Sequence, residues 1–343
     1  DLRGNMMDEI NRAFLLDDFT PGEVELFYPA YPEEHPVIVG NSGPRTPGPG
    51  LYPPPLGVMN SLDRAAANAG LVDGVGIGSG FGVGSNSWVI GPERSATGSA
   101  ILANDPHLGI RMPSIWYQVA LHCRPRTDTC PFDVAGFSFA GMPGVIIGHN
   151  DRIAWGLTNL GPDVTDLYIE RINPDDPFQY EVDGRWVDME VRTETIEVAG
   201  ADAVEVTVRS TRHGPIISDD FGILEDFTDN AGIPLPEAYA IALRWTALEE
   251  NSSLIDAVLS IDLATDFESF RDALRLFDVP SQNMVYADVD GNIGYQSPGL
   301  IPLRSNGDGR VPVPGWTNEY EWTGYIPFDD LPSVYNPSEG YIA

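Results

Sequence analysis

The stretch GFGVGSNSWVIG, residues 80–91, changes character at a single residue. Up to Gly84 it reads as a glycine-rich linker, and from Ser85 it becomes a strand carrying Trp88, Val89 and Ile90. Working back from it, residues 35–57, HPVIVGNSGPRTPGPGLYPPPLG, are too dense in Pro and Gly for a packed element. A small helix is predicted over SLDRAAANAGLV, residues 61–72, before glycine takes over in DGVGIGSGFGVG, residues 73–84. So long a run is no ordinary connection within a compact domain; it reads as a linker, a lid or a piece meant for removal. Before it, residues 1 to about 30 carry apolar positions at helical spacing, with Pro21 opening a second short helix.

Working forward from Ser85, short runs rich in β-branched and aromatic residues follow one another, punctuated by Gly, Pro and Asn. They include SAILAND, IWYQVALHC, FDVAGFSFAG, GVIIGHN, IAWGLTN, LYIERIN, QYEVDGRWVDM, VRTETIEV and VEVTVRS, and each predicts a strand. SSLIDAVLSIDLATDFESFRDALRLF then predicts two helices with Ser and Asp starts, and QNMVYADVDGNIGYQS returns to strands. DVDGN at 288–292 lacks a glutamate at the twelfth place of a calcium loop, so its Asp-Gly is read as a hairpin turn. Strands in one block and helices in another predict an α+β sheet with helices on its faces.

Composition narrows the function. The 343 residues are 42% hydrophobic, enough to bury a sizeable core in one large domain or two ordinary ones. Acidic residues number 51 against 19 basic ones, a formal charge of -32, and every basic residue is Arg. Without lysine there is no P-loop, Schiff-base site or catalytic lysine in this stretch. The charge argues against nucleic acid and anionic membrane surfaces, and suits a solvated surface in a salty or extracellular medium. No apolar run approaches the roughly 20 residues that span a bilayer. Cys123 and Cys130 flank a polar turn between two apolar runs; they suit either a disulfide across a hairpin end in an oxidising compartment or two free thiols.

Ser85 sits where a disposable segment ends and a strand begins. Cleavage of the Gly84–Ser85 bond would give Ser85 both its hydroxyl and a free α-amine. An α-amine titrates near about 8, so it can act as general base for the hydroxyl beside it. Such a nucleophile needs no histidine–aspartate pair.

The text GSNSWVIGPERSATGSAILANDPHLG, followed by PGVIIGHNDRIAWGLTNLGPDVTDLYIERI, resembles the penicillin acylase family of N-terminal nucleophile hydrolases. YADVDGNIGY, VPVPGW and VYNPSEGYIA are similar to that family in the same order. The resemblance implies a four-layer αββα sandwich, here incomplete. It further implies that residues 1–38 are the end of an α subunit, 39–84 an excised spacer and 85–343 the first part of a β subunit, the two subunits remaining as a self-derived heterodimer. Ser85 is then the nucleophile, released by cleavage after Gly84, and the substrate a small acyl amide. His107 matches a position that orients the nucleophile, and Asn159 one whose backbone N–H forms half of an oxyanion hole. The other half is an asparagine side chain following GYIA, whereas this chain stops at Ala343, so it is expected to be a fragment of a larger precursor.

By the same resemblance Asp163, the Thr165 carbonyl and Asp166, with Glu9 from the α subunit, form a calcium site of hard oxygen ligands. Leu108, Ile147 and Leu157 would line the acyl pocket, aliphatic walls suiting a flexible acyl chain. A periplasmic or extracellular location is expected, with the targeting segment absent from this chain. Within the family the alternative is an acyl-homoserine lactone acylase. Outside it, two alternatives stand: a metal-assisted hydrolase built on His107, Asp163 and Asp166, and a catalytically silent fragment or binding domain.

Overall fold

A computed structural model describes residues 2–28, 38, 84–108, 112–219 and 238–343. Residues 39–83 of the spacer expected over 39–84, with the helix expected over 61–72, lie outside the described residues.

The largest sheet has seven strands. In spatial order they are β19 (Ser333–Tyr335), β15 (Ile293–Gln296), β14 (Gln282–Asp288), β6 (Ile153–Asn159), β5 (Ile147–His149), β4 (Asp133–Phe139) and β3 (Trp116–His122). Its paired neighbours are all antiparallel. Alternation along each strand gives the sheet two different faces. Ile153 and Trp155 of β6 and Met284 and Tyr286 of β14 point one way, into a core closed by α3 (Leu254–Leu263) and α4 (Phe267–Leu274). Ala257, Ile261, Phe270, Ala273 and Leu274 are the helical side of that core. Asp266 caps α4, its side chain accepting the Ser269 N–H, as the Asp start in the sequence predicts.

Val285 and Ala287 of β14 point the other way, against a second sheet in the order β2 (Ile101–His107), β1 (Gly84–Ile90) and β20 (Tyr341–Ile342). Val89 and Ile342 are buried in this second core together with Ile293 and Tyr295. Helices, large sheet and small sheet therefore stack as three layers, α, β and β.

The remaining strands form a flank. β13 (Ala238–Trp245), β7 (Thr165–Ile172), β8 (Gln179–Val182) and β9 (Arg185–Asp188) make a sheet that β17 (Val313–Pro314) joins parallel to β7. Smaller sheets are β10 (Glu190–Ile196) with β11 (Val204–Thr211) and β12 (Gly214–Pro215), and β16 (Pro302–Arg304) with β18 (Trp322–Tyr325). Helix α1 (Leu2–Asp18) lays Met6, Ile10 and Ala13 on Leu167, Ile169 and Ile241 of β7 and β13. A capping box of Thr20 and Glu23 starts α2 (Pro21–Phe27), with Pro21 in its first turn.

Cys123 and Cys130 are joined as a disulfide with Cα atoms 5.7 Å apart, stapling the β3–β4 hairpin end. Asp288 holds the β14–β15 turn by accepting the N–H groups of Asp290 and Asn292, and Gly291 takes φ +92 there. That turn is structural, as expected. β13 has no counterpart among the strands read from sequence, because AYAIALRW lacks the β-branched density that marked the others.

Candidate active site

Ser85 is the second residue of β1 and is half-buried. Its hydroxyl donates to the carbonyl oxygen of Gly84 at 2.7 Å, so the oxygen lies against the peptide unit whose cleavage would free it. Antiparallel pairing sets Gly84 opposite His107 and Ser85 opposite Pro106. β2 thus carries His107 to the same end of the hairpin as Ser85. The His107 ring, partly exposed, stands 3.3 Å from Asp105 through Nε2. Leu108 follows directly and is half-buried.

Asn159 closes β6 opposite Gln282, and its carbonyl accepts from the Asn283 side chain at 3.2 Å. Asn283 is itself held by the Tyr295 hydroxyl at 2.7 Å. β1 and β2 pack across β6, which sets the hairpin that carries Ser85 over the strand that ends in Asn159. Two residues unmarked in the sequence reading govern this approach. Asn104 of β2 donates to the carbonyls of Asn86 and Leu157 and accepts the Leu157 N–H. Gly156 lies beneath it, and a Cβ there would fall 2.6 Å from the Asn104 Cβ. A glycine inside the strand pattern IAWGLTN is a signal of close approach that could have been followed.

Ile147 opens β5 and is buried. Leu157 shares the parity of Trp155 and packs against the core beneath α3 and α4, on the side of β6 away from Asn104.

A second cluster forms where α1 crosses the start of β7. Carboxylate oxygens of Glu9, Asp163 and Asp166 lie within 4.8 Å of one another. Glu9 is buried; Oε2 accepts the Leu167 N–H at 3.0 Å, whereas Oε1 is buried without a partner. Asn5 donates to Asp163 at 3.0 Å. Arg304 grips Asp166 with Nε and Nη2 at 2.8 and 2.7 Å, and Trp322 Nε1 reaches it at 2.6 Å. Burial first, then the charges of Asp166 and Asp163, holds the Glu9 carboxyl well above the usual carboxylate range. Burial likewise pushes Asp163 up to about 7, against the pull of Arg304. Gly309 makes room for the Arg304–Asp166 pair, since a Cβ there would stand 2.4 Å from Arg304 Nη2 and 2.6 Å from Asp166 Oδ1. Among the described residues His107 does not join this cluster, so the trio of His107, Asp163 and Asp166 expected of a metal-assisted hydrolase is not assembled. Thr165 lies buried between the two aspartates in sequence, its hydroxyl without a partner.

A serine heading the first strand of a small sheet, stacked on a larger sheet and a helical layer, is the arrangement of an N-terminal nucleophile hydrolase fold. The chain belongs to the penicillin amidase family, whose model matches residues 1–343. It is 31% identical to an acyl-homoserine lactone acylase QuiP of Pseudomonas aeruginosa, over 98% of this chain and 38% of that protein. It is 34% identical to the penicillin acylase 2 proenzyme of a Pseudomonas species, over 76% of this chain and 31% of that protein. A solved structure, the thermostable penicillin G acylase from Alcaligenes faecalis, superposes with TM-score 0.63 and 34% identity, covering 75% of this chain and 43% of that one. The matches thus span less than half the length of each of these relatives.

Proposed function

We propose that this chain is the nucleophile-bearing portion of a self-processing acylase that hydrolyses a small acyl amide. The observation that carries the reading is the Ser85 hydroxyl lying 2.7 Å from the Gly84 carbonyl oxygen at the head of β1, in a chain of this family. In maturation Ser85 Oγ adds to the Gly84 carbonyl carbon, the C–N bond breaks and an ester replaces the amide. Water then hydrolyses the ester, leaving a carboxylate on Gly84 and a free α-amine on Ser85. In turnover the same Oγ attacks the substrate carbonyl while that amine takes the proton and passes it to the leaving amine. Water releases the acid from the acyl-enzyme. The Asn159 N–H is proposed as one oxyanion donor, and His107 as the group that orients Ser85 from the neighbouring strand end. A relative bearing the name proenzyme supports the self-cleavage step, from which an α/β heterodimer would follow.

The acyl pocket is proposed to involve Leu108, Ile147 and Leu157, whose side chain also packs against the helical core. An N-acyl-homoserine lactone is the second reading for substrate, favoured by the match to QuiP across 98% of the chain. Parallel hydrolysis assays with penicillin G and N-acyl-homoserine lactones separate the two. The Cys123–Cys130 disulfide supports a periplasmic or extracellular location.

Calcium fits the Glu9, Asp163 and Asp166 cluster. The partnerless Glu9 Oε1, facing two further carboxylates, is what a hard cation requires, and the Thr165 carbonyl is proposed as a further ligand. Bound there, the ion would neutralise buried carboxylates that tie α1 to β7.

The test uses the full-length gene. Ser85→Ala should remain one chain by intact mass and hydrolyse no acyl amide, while Ser85→Cys should still yield a new N-terminus at position 85. A Ser85→Ala protein that is cleaved and active would overturn the proposal.

A further inference from the structure

We propose that Asn104 is a positioning residue for the Ser85 chemistry, its carboxamide locking the nucleophile's hairpin to the strand that ends at Asn159; this rests on the acylase reading above. β1 and β2 belong to one sheet and β6 to another, so no backbone ladder registers Ser85 against Asn159. Apolar packing alone permits two sheets to slide. Among the described residues, the hydrogen bonds that cross from this hairpin to β6 are all made by Asn104.

The geometry is that of a strand neighbour reduced to one side chain. Oδ1 accepts the Leu157 N–H at 3.3 Å and Nδ2 donates to the Leu157 carbonyl at 2.8 Å, so both main-chain groups of one residue are engaged. The second Nδ2 proton reaches the Asn86 carbonyl at 3.2 Å. Asn86 follows Ser85 directly and Leu157 stands two residues before Asn159. One planar amide therefore spans from the nucleophile's neighbour to the approach of the proposed oxyanion donor. Gly156 is an independent sign that this contact is built in: it is the residue of β6 under Asn104, and a Cβ there would lie 2.6 Å from the Asn104 Cβ and 2.9 Å from its Cγ. Asparagine suits the task because its amide offers donor and acceptor in one plane; aspartate has the shape without the donor. A displacement of about 1 Å between a nucleophile and its partners can cost on the order of 100-fold in rate.

The experiment compares Asn104→Ala and Asn104→Asp with the parent in the full-length protein. It follows cleavage before Ser85 by intact mass, steady-state hydrolysis of an acyl amide, thermal unfolding and hydrogen exchange across 153–159. Both variants should cleave at least tenfold more slowly and, once matured, show kcat reduced at least tenfold with KM within about twofold of the parent. Exchange across 153–159 should rise. Variants that mature and turn over as the parent does would overturn the inference and leave the acylase reading standing. So would an Asp variant that matches the parent while Ala fails, since shape would then be all that matters. A variant whose loss lies in KM and thermal stability, with kcat kept, would also overturn it by reducing Asn104 to packing. A parent that neither cleaves before Ser85 nor hydrolyses any acyl amide would instead sink the acylase reading, and this role with it.

Discussion

Gly156 sits so close beneath Asn104 that a single added carbon would stand 2.6 Å from the Asn104 Cβ, inside any tolerable contact. Gly156→Ala should therefore part the small sheet from the large one. The expected cost is about 1–3 kcal/mol from overpacking, read by denaturant unfolding, together with slower cleavage before Ser85. An unchanged midpoint and cleavage rate would show that the two sheets separate without consequence.

The cluster at α1 leads to a prediction about calcium. With three carboxylates against Arg304, chelation should lower the melting temperature by roughly 5 °C, the scale of an ion contributing about 2–3 kcal/mol. Turnover of already matured protein well below that temperature should survive. Glu9→Gln keeps an acceptor for the Leu167 N–H and removes a charge, so its melting should become insensitive to chelator. Calcium titration followed by calorimetry checks the binding directly.

Buried titrating groups predict how stability depends on pH. Asp262 is 1% exposed, and its side chain accepts hydrogen bonds from the Val145 N–H. Burial pushes its carboxyl from 3.8 up to about 7. Below pH 3.8 the group is protonated in folded and unfolded chains alike and exacts nothing. Between 3.8 and 7 the unfolded chain releases the proton while the folded chain keeps it, so stability falls as pH rises, by a few kcal/mol in all. Asp262→Asn should flatten that slope in unfolding measured from pH 4 to 8.

His213 acts in the same direction. Burial would depress its pKa, but Glu170 at 2.7 Å and Glu321 at 3.1 Å hold it above the usual value. Its contribution is complete below about pH 6.5 and is lost as pH rises through the folded-state value. His213→Gln should remove that component, measured by the same unfolding series.

The disulfide closes a short loop, with seven residues of separation between Cys123 and Cys130. Cys123→Ser should cost about 2–3 kcal/mol on the loop-entropy scale and leave Ser85 processing intact, because the bridge lies at a hairpin end. Denaturant unfolding and intact mass check the two halves of that statement.

Much of the fold was legible from local pattern. Alternation in SNSWVIG and IAWGLTN, the Ser and Asp helix starts before Leu254 and Phe267, and the Asp-Gly turn at 290–291 each follow from interactions within a few residues. Ser85 was legible too, since a change from glycine-rich text to strand is a one-dimensional signal. Gly156 carried a partial signal, a glycine inside a strand pattern, but its partner Asn104 did not, because an asparagine in a strand is not unusual until the two strands are stacked. Arg304 and Trp322 escaped for the same reason: they reach Asp166 across more than 130 residues of chain.

The amino-acid order by itself determined the described helices, most of the strands including the one that begins at Gly84–Ser85, the acidic lysine-free composition and the family. Only the tertiary structure decided that Glu9 meets Asp163 and Asp166, that His107 stays apart from them, and that one asparagine fastens the sheet of Ser85 to the sheet of Asn159. Local pattern reports how each segment buries its own apolar face. Contacts between sheets depend on how two twisted surfaces come to rest against each other, and no short window of sequence contains both.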